Sequence, residues 1–148
     1  MEFNNILVLC TGNICRSPMA AAVLGQEMTA RGRNKANIAS AGIAAAVGHG
    51  APEHARALMA ERGLDISGHR AIQLIPDSLL QMDLVLVMEK TQQQAVEKLQ
   101  PAARGRVFRL GEWGDFDIPD PYRQNMDVYR NILSMIDRGL SDWMERIN

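Results

Sequence analysis

Cys10 and Arg16 enclose the five residues Thr11-Gly12-Asn13-Ile14-Cys15, and Ser17-Pro18 follow directly. Upstream, Ile6 to Leu9 is an apolar run of strand length, and Pro18 suits the first turn of a helix. A loop between a strand end and a helix N-terminus gathers backbone N–H groups around an anion, and the helix dipole adds positive potential there. Cys10 at the strand end can present its sulfur to the centre of a phosphate group, while Arg16 offers a planar fork of donors to two of its oxygens. A thiol among amides, a helix end and a guanidinium is expected to ionise well below the ~8.5 of free cysteine. Ser17 can cap the helix and donate to the thiolate or to a departing phosphate. Gly12 permits close approach of backbone to anion, and Asn13 tolerates the left-handed backbone that turns amides inward. The spacing predicts attack by sulfur on phosphorus.

Such a displacement also needs a proton for the leaving oxygen. Asp120 is the candidate, because Pro121 restricts its backbone and Ile118, Pro119 and Tyr122 predict a partly apolar setting that keeps the acid protonated. An isolated Asp-Pro is most often a turn, and a lone cysteine is most often an inert core residue. Arg16 and Ser17 at fixed offsets from Cys10 argue against the bland reading for both. Tyr122 reads as a pocket wall that stacks on a substrate ring. Cys15 has two open readings, a small packing residue or a redox partner that captures oxidised Cys10 as a disulfide. A metal site on the two cysteines would need two further ligands, and His49, His54 and His69 show no ligand spacing, so no metal or cofactor is expected.

The elements that position these residues alternate between short apolar runs and helical patterns, which predicts an α/β fold around a mostly parallel sheet. Strands are predicted at Ile6–Leu9, Asn37–Ala39, Leu84–Met88 and Val107–Leu110. Helices are predicted at Pro18–Arg31, Pro52–Arg62, Pro76–Gln81, Thr91–Leu99 and Met126–Arg146. In the last of these Val128, Ile132, Met135, Ile136, Leu140, Trp143 and Ile147 recur at steps of three and four, a core-facing stripe. Gly42 to Ala51 is small and glycine-rich enough to form a loop beside a pocket. Ligands of open parallel sheets collect at the carboxyl ends of the strands, where Cys10, Ser40 and the 111–123 loop all fall.

The chain has 148 residues, a formal net charge of −1 and two cysteines in one loop. That length suits a single domain over residues 1–148 with its own core. Mixed charges suggest neither a nucleic-acid surface nor a polybasic membrane patch. The N-terminus lacks a basic leader region and its apolar run is too short to span a membrane, so a cytoplasmic protein without membrane insertion is expected.

The run Cys10 to Pro18, with Asp120-Pro121-Tyr122 downstream, resembles the low-molecular-weight protein tyrosine phosphatases, whose signature is C-x-G-N-x-C-R-S-P near the N-terminus and D-P near the C-terminus. Ser40-Ala41-Gly42, Ser67-Gly68-His69-Arg70 and Asp83 to Met88 match further stretches in the family's order, so the likeness covers nearly the whole chain. The resemblance implies a flavodoxin-like, three-layer α/β/α fold with a four-stranded parallel sheet of order 2-1-3-4. It implies hydrolysis of phosphotyrosine through a phosphocysteine on Cys10, with Arg16 binding phosphate, Asp120 as general acid and then base, and no cofactor. Thr11, Gly12, Asn13, Ile14, Cys15 and Ser17 complete the phosphate loop, and Ser40 and His69 match residues that brace it through hydrogen bonds. The approach from Trp113 to Tyr122 is similar to the bacterial branch associated with capsule and exopolysaccharide. For that branch the expected partner is a tyrosine-phosphorylated protein such as a tyrosine autokinase, and the expected state is mainly monomeric.

The match departs after Ser40-Ala41-Gly42, where many relatives carry an aromatic pocket wall and Val47 would provide an aliphatic one. It departs again at Arg123, where some relatives have a second tyrosine. Two other functions share parts of the pattern. Thioredoxin-coupled arsenate reductases share the fold and loop but relay a disulfide through downstream cysteines, and none follows Cys15. A phosphotyrosine-binding or redox-sensing module would retain the pocket yet turn over poorly, which an intact Asp120 argues against.

Overall fold

The computed structural model describes residues 3–147. Four strands, β1 (Asn5–Cys10), β2 (Asn37–Gly42), β3 (Leu84–Val87) and β4 (Val107–Arg109), form one sheet in the order β2-β1-β3-β4. Every pairing is parallel, as the flavodoxin-like reading requires. Side chains alternate across a strand, so Ile6, Val8 and Cys10 face one layer while Leu7 and Leu9 face the other. The first layer is built by α1 (Arg16–Ala30), α2 (Glu53–Glu61) and α4 (Met126–Met144). The second holds α3 (Lys90–Leu99) and the 3-10 segment Pro76–Gln81, through Val96 and Leu79. Covering both faces explains why the central strands β1 and β3 read as apolar runs, while the edge strand β2 stays partly exposed. This parity also fixes the direction of Cys10, toward α1 and α4.

Several boundaries differ from the sequence expectation for local reasons. β2 runs past Ala39 because its ladder with β1 continues to the pair Cys10 and Gly42. α1 starts at Arg16, so Pro18 lies in its first turn rather than at its first residue. Pro76–Gln81 is a 3-10 segment and not an α-helix, cut short where Met82 turns extended into β3. α4 ends at Met144, and along it Ile132, Ile136, Leu140 and Trp143 are buried as the periodicity predicts. Gly63 closes α2 with φ +73°, its N–H donating to Ala60 O at 3.0 Å. Among the described residues no helix is long and apolar enough to cross a membrane.

Gly42 ties the fold to the loop that follows β1. A Cβ there would stand 2.6 Å from the Thr11 carbonyl oxygen and 2.9 Å from Ala45 Cβ. Gly42→Ala must therefore displace backbone at the base of the Cys10 loop. We expect it to cost about 1–3 kcal/mol by overpacking, read as a lower urea midpoint, with catalytic turnover falling further than stability alone explains. An unchanged midpoint and unchanged turnover would contradict this reading.

Candidate active site

β1 ends at Cys10 and α1 begins at Arg16, so the intervening loop closes over the carboxyl edge of the sheet. Cys10 and Cys15 are buried free thiols. The Cys10 sulfur lies 3.0 Å from Ser17 Oγ and accepts the Asn13 N–H at 3.2 Å. Asn13 adopts φ +58°, the left-handed conformation that asparagine tolerates better than most residues. Its fully buried side chain ties the loop to three other segments. Nδ2 donates to Ser17 Oγ at 2.8 Å and to Ser40 Oγ at 3.0 Å, and Oδ1 accepts the Ile72 N–H at 2.9 Å. The Asn13 carbonyl lies 2.6 Å from His69 Nε2. Ser40 and His69 thus both meet Asn13, and together they fix the strained residue of the loop.

Ser17 does not cap α1. Cys15 occupies the N-cap position without a side-chain bond, and the Ser17 hydroxyl is engaged by Cys10 and Asn13. Arg16 is 2 % exposed, and its NH1 donates to Glu89 and, at 2.8 Å, to the Ile118 carbonyl. Nε and NH2 bond to no protein atom among the described residues, so one edge of the guanidinium stays available to a ligand. A Cβ at Gly12 would meet only Ile14 Cγ1, at 3.7 Å, so the protein's own packing does not demand glycine there.

Sequence reasoning missed Glu89 and Gln92. They form a capping box at the start of α3, in which Gln92 Oε1 accepts the N–H groups of Met88 and Glu89 at 2.9 and 3.0 Å. Gln92 Nε2 also donates to Thr11 Oγ1 at 3.0 Å. One helix start therefore anchors both ends of the cradle, Arg16 through Glu89 and Thr11 through Gln92. The spacing Glu89-x-x-Gln92 after an apolar strand was the available signal.

The loop surrounds a cavity of about 250 Å³. Cys10, Gly12 and Arg16 line its floor, and Asp120 and Tyr122 line its mouth. The second wall differs from expectation. Ala46 and His49 line the cavity, whereas Val47 is 65 % exposed and does not. A turn closed by the His49 N–H on the Ala46 carbonyl at 3.0 Å leaves Val47 exposed, and the spacing from Ser40-Ala41-Gly42 does not give the direction of that turn. Asp120 is also more open than its apolar neighbours in sequence suggest. Ile118 and Pro121 are buried but Asp120 is exposed, and its Oδ1 accepts the Tyr122 N–H at 3.0 Å. Arg123, at φ +65°, rests its guanidinium 5.3 Å from the centre of the Tyr122 ring.

Cys15 occupies a different environment from Cys10, although the two belong to one loop. Its sulfur lies 3.4 Å from the Tyr129 hydroxyl on α4, and Tyr129 in turn meets His54 edge to face at 5.3 Å between ring centres. Burial pushes the Cys15 thiol up to about 11 against a partial offset from the Tyr129 bond. Burial and the same bond push Tyr129 up as well. Both groups fold more favourably when protonated. Their contribution is complete below their unfolded values and is lost as pH rises through the folded ones, for Cys15 at about 11. Thermal unfolding midpoints should therefore fall on the alkaline side of pH 9, and Cys15→Ala should flatten the fall. An identical alkaline profile in that variant would contradict the assignment.

The low molecular weight phosphotyrosine protein phosphatase family profile matches residues 5–148. The chain is 46% identical over 142 residues to the probable low molecular weight protein-tyrosine-phosphatase EpsP of Ralstonia nicotianae, covering 96% of this chain and 94% of that protein. It is 37% identical to the low molecular weight protein-tyrosine-phosphatase Wzb of Escherichia coli K12, covering 99% and 97%. The solved structure of Vibrio vulnificus Wzb in complex with benzylphosphonate superposes with a TM-score of 0.90 at 38% identity, over 99% of this chain and 100% of that one. With the Cys10 loop at the carboxyl edge of a 2-1-3-4 sheet, and relatives matched along nearly their full length, the chain belongs to the low molecular weight phosphotyrosine protein phosphatases.

Proposed function

We propose that this tyrosine phosphatase works through a covalent phosphocysteine on Cys10, with Arg16 holding the phosphate and Asp120 moving the proton. The observation that carries the proposal is the Cys10 sulfur itself, receiving the Asn13 N–H and meeting Ser17 Oγ on the floor of a cavity whose mouth holds Asp120. A phosphotyrosine entering that cavity puts its phosphorus over the sulfur and its ring beside Tyr122. The benzylphosphonate bound to the Vibrio relative, an aromatic ring with a phosphonate, has the same outline.

In the first step the S–P bond forms as the bond from phosphorus to the phenolic oxygen breaks. Asp120 gives its proton to that oxygen, and tyrosine leaves neutral. The free edge of Arg16 and the loop amides stabilise charge on the equatorial oxygens throughout. In the second step water attacks phosphorus, Asp120 takes the water proton and the S–P bond breaks, which returns the thiolate and releases inorganic phosphate. Ser17 is placed to steady the sulfur in both steps. Cys15 is held as a buried thiol against Tyr129 of α4.

The physiological substrate we infer is a phosphorylated tyrosine kinase that controls exopolysaccharide or capsule production, a reading supported by the similarity to EpsP and Wzb. Phosphate release from matched phosphotyrosine and phosphoserine peptides, without added metal, tests the activity. We expect release from phosphotyrosine at least tenfold faster, because only an aryl phosphate is long enough to seat phosphorus on Cys10 while its ring meets Tyr122. Equal rates on the two peptides would overturn the assignment of that wall.

A further inference from the structure

We propose that Arg56 and Arg70 form an anion subsite beside the catalytic cavity, which takes an acidic or phosphorylated side chain on the same polypeptide whose phosphotyrosine enters that cavity. The two sites share one loop. Ala46 and His49 line the catalytic cavity, while Gly48 and Gly50 line a neighbouring recess of about 410 Å³. Arg56, from α2, and Arg70, from the segment after it, complete the recess. Arg70 directly follows His69, whose ring meets the Asn13 carbonyl, so the recess continues from the bracing of the cradle.

Both guanidinium groups are held by one edge and open on the other. Arg70 NH1 donates to the carbonyls of His69 at 2.7 Å and Ser67 at 3.3 Å. The same nitrogen lies 3.1 Å from where a Cβ on Gly50 would stand, so glycine makes room for it. Arg56 Nε donates to the Ala51 carbonyl at 3.1 Å. The terminal nitrogens of Arg56 and NH2 of Arg70 have no partner among the described residues.

Arg31, Arg104, Arg123 and Arg138 are exposed and, like this pair, form no ion pair among the described residues. The distinction of Arg56 and Arg70 is that both line one recess, while several other arginines are compensated. Arg62 pairs with Asp137, Arg130 with Glu61, and Arg109 with Asp115 and Asp117. Arg56 and Arg70 form no ion pair among the described residues. Glu53, one turn before Arg56, makes none with it, and Asp65 accepts the Ser67 N–H instead. Two uncompensated forks on one polar recess match the oxygens of a carboxylate or phosphate, which guanidinium recognises in a bidentate manner. Since the recess and the catalytic cavity are lined by the same loop, residues 46–50, the anion is one carried near the scissile phosphotyrosine.

The inference rests on the phosphatase reading, and its test separates the two. Phosphotyrosine peptides that carry a single glutamate, or a single phosphoserine, moved from three residues before to three after the tyrosine are compared with a neutral peptide. Wild type is compared with the double variant Arg56→Gln, Arg70→Gln. We expect at least one anionic peptide to exceed the neutral one by about tenfold in kcat/KM, mainly through KM, with the gain shrinking as salt rises. The double variant should lose that gain and retain the neutral peptide's kcat/KM, which shows that the fold and catalytic cavity are intact. Glutamate and phosphoserine arms identify which anion is preferred. Absence of any anionic preference in wild type, or equal losses on neutral and anionic peptides in the variant, overturns the subsite. Failure of wild type to release phosphate from every peptide overturns the underlying reading instead.

Discussion

Cys10→Ser is expected to lower phosphate release from phosphotyrosine on the order of 10⁴- to 10⁶-fold, the scale on which enzymes lose turnover with their nucleophile. The serine hydroxyl would stand where the sulfur now meets Ser17 Oγ and the Asn13 N–H, so the cradle keeps its donors. Alcohol oxygen stays protonated where a thiol ionises, and no base lies in the bonds to position 10 that would activate it. Binding should therefore survive while chemistry fails. Inorganic phosphate is expected to inhibit or protect the variant about as well as wild type, whereas turnover within tenfold of wild type would remove Cys10 from the mechanism.

The second large effect is expected at Asp120, where the role is to protonate the phenolic oxygen. Asp120→Asn should slow kcat on phosphotyrosine by about 10²- to 10⁴-fold, the usual contribution of a positioned acid. Tyrosine is a poor leaving group because its phenol ionises near ~10. An aryl phosphate whose phenol ionises several units lower needs little protonation. The deficit should then shrink to within about tenfold as long as departure of the phenol limits the rate. The asparagine side chain can still accept the Tyr122 N–H that Asp120 Oδ1 accepts, so the turn at Asp120-Pro121 is retained. A deficit that stays the same whatever the leaving group would show that Asp120 positions the loop instead of moving a proton.

Legibility in the sequence followed the range of the interactions. The cradle is local, since Cys10, Asn13, Arg16 and Ser17 lie within eight residues of one another, and their spacing carried both strand exit and helix entry. The sheet order became readable only with the family likeness, because apolar runs give strands without neighbours. What escaped the sequence came from residues distant along the chain. Glu89 and Gln92 drew no functional reading from the sequence, because only the fold, through β3, brings them against Arg16 and Thr11. Tyr129 fell outside the apolar stripe assigned to α4, yet it is buried against Cys15. The wall at residues 46–49 depended on the direction of a turn, which composition does not encode, and so Val47 was assigned where Ala46 and His49 stand. Asp120 was expected in a partly apolar setting, but Ile118 turns its side chain into the core and leaves the carboxyl exposed where it lines the cavity.

The covalent intermediate is the central claim, and trapping it is the most direct measurement. Enzyme turning over a phosphotyrosine peptide labelled on phosphorus would be quenched within one turnover, digested, and the label located by mass. We expect a burst of free tyrosine peptide of about one equivalent per site, with the label on the fragment containing Cys10 and none bound in Cys10→Ser. A single turnover that transfers all of the label directly to water, with no burst and no labelled fragment, would contradict it.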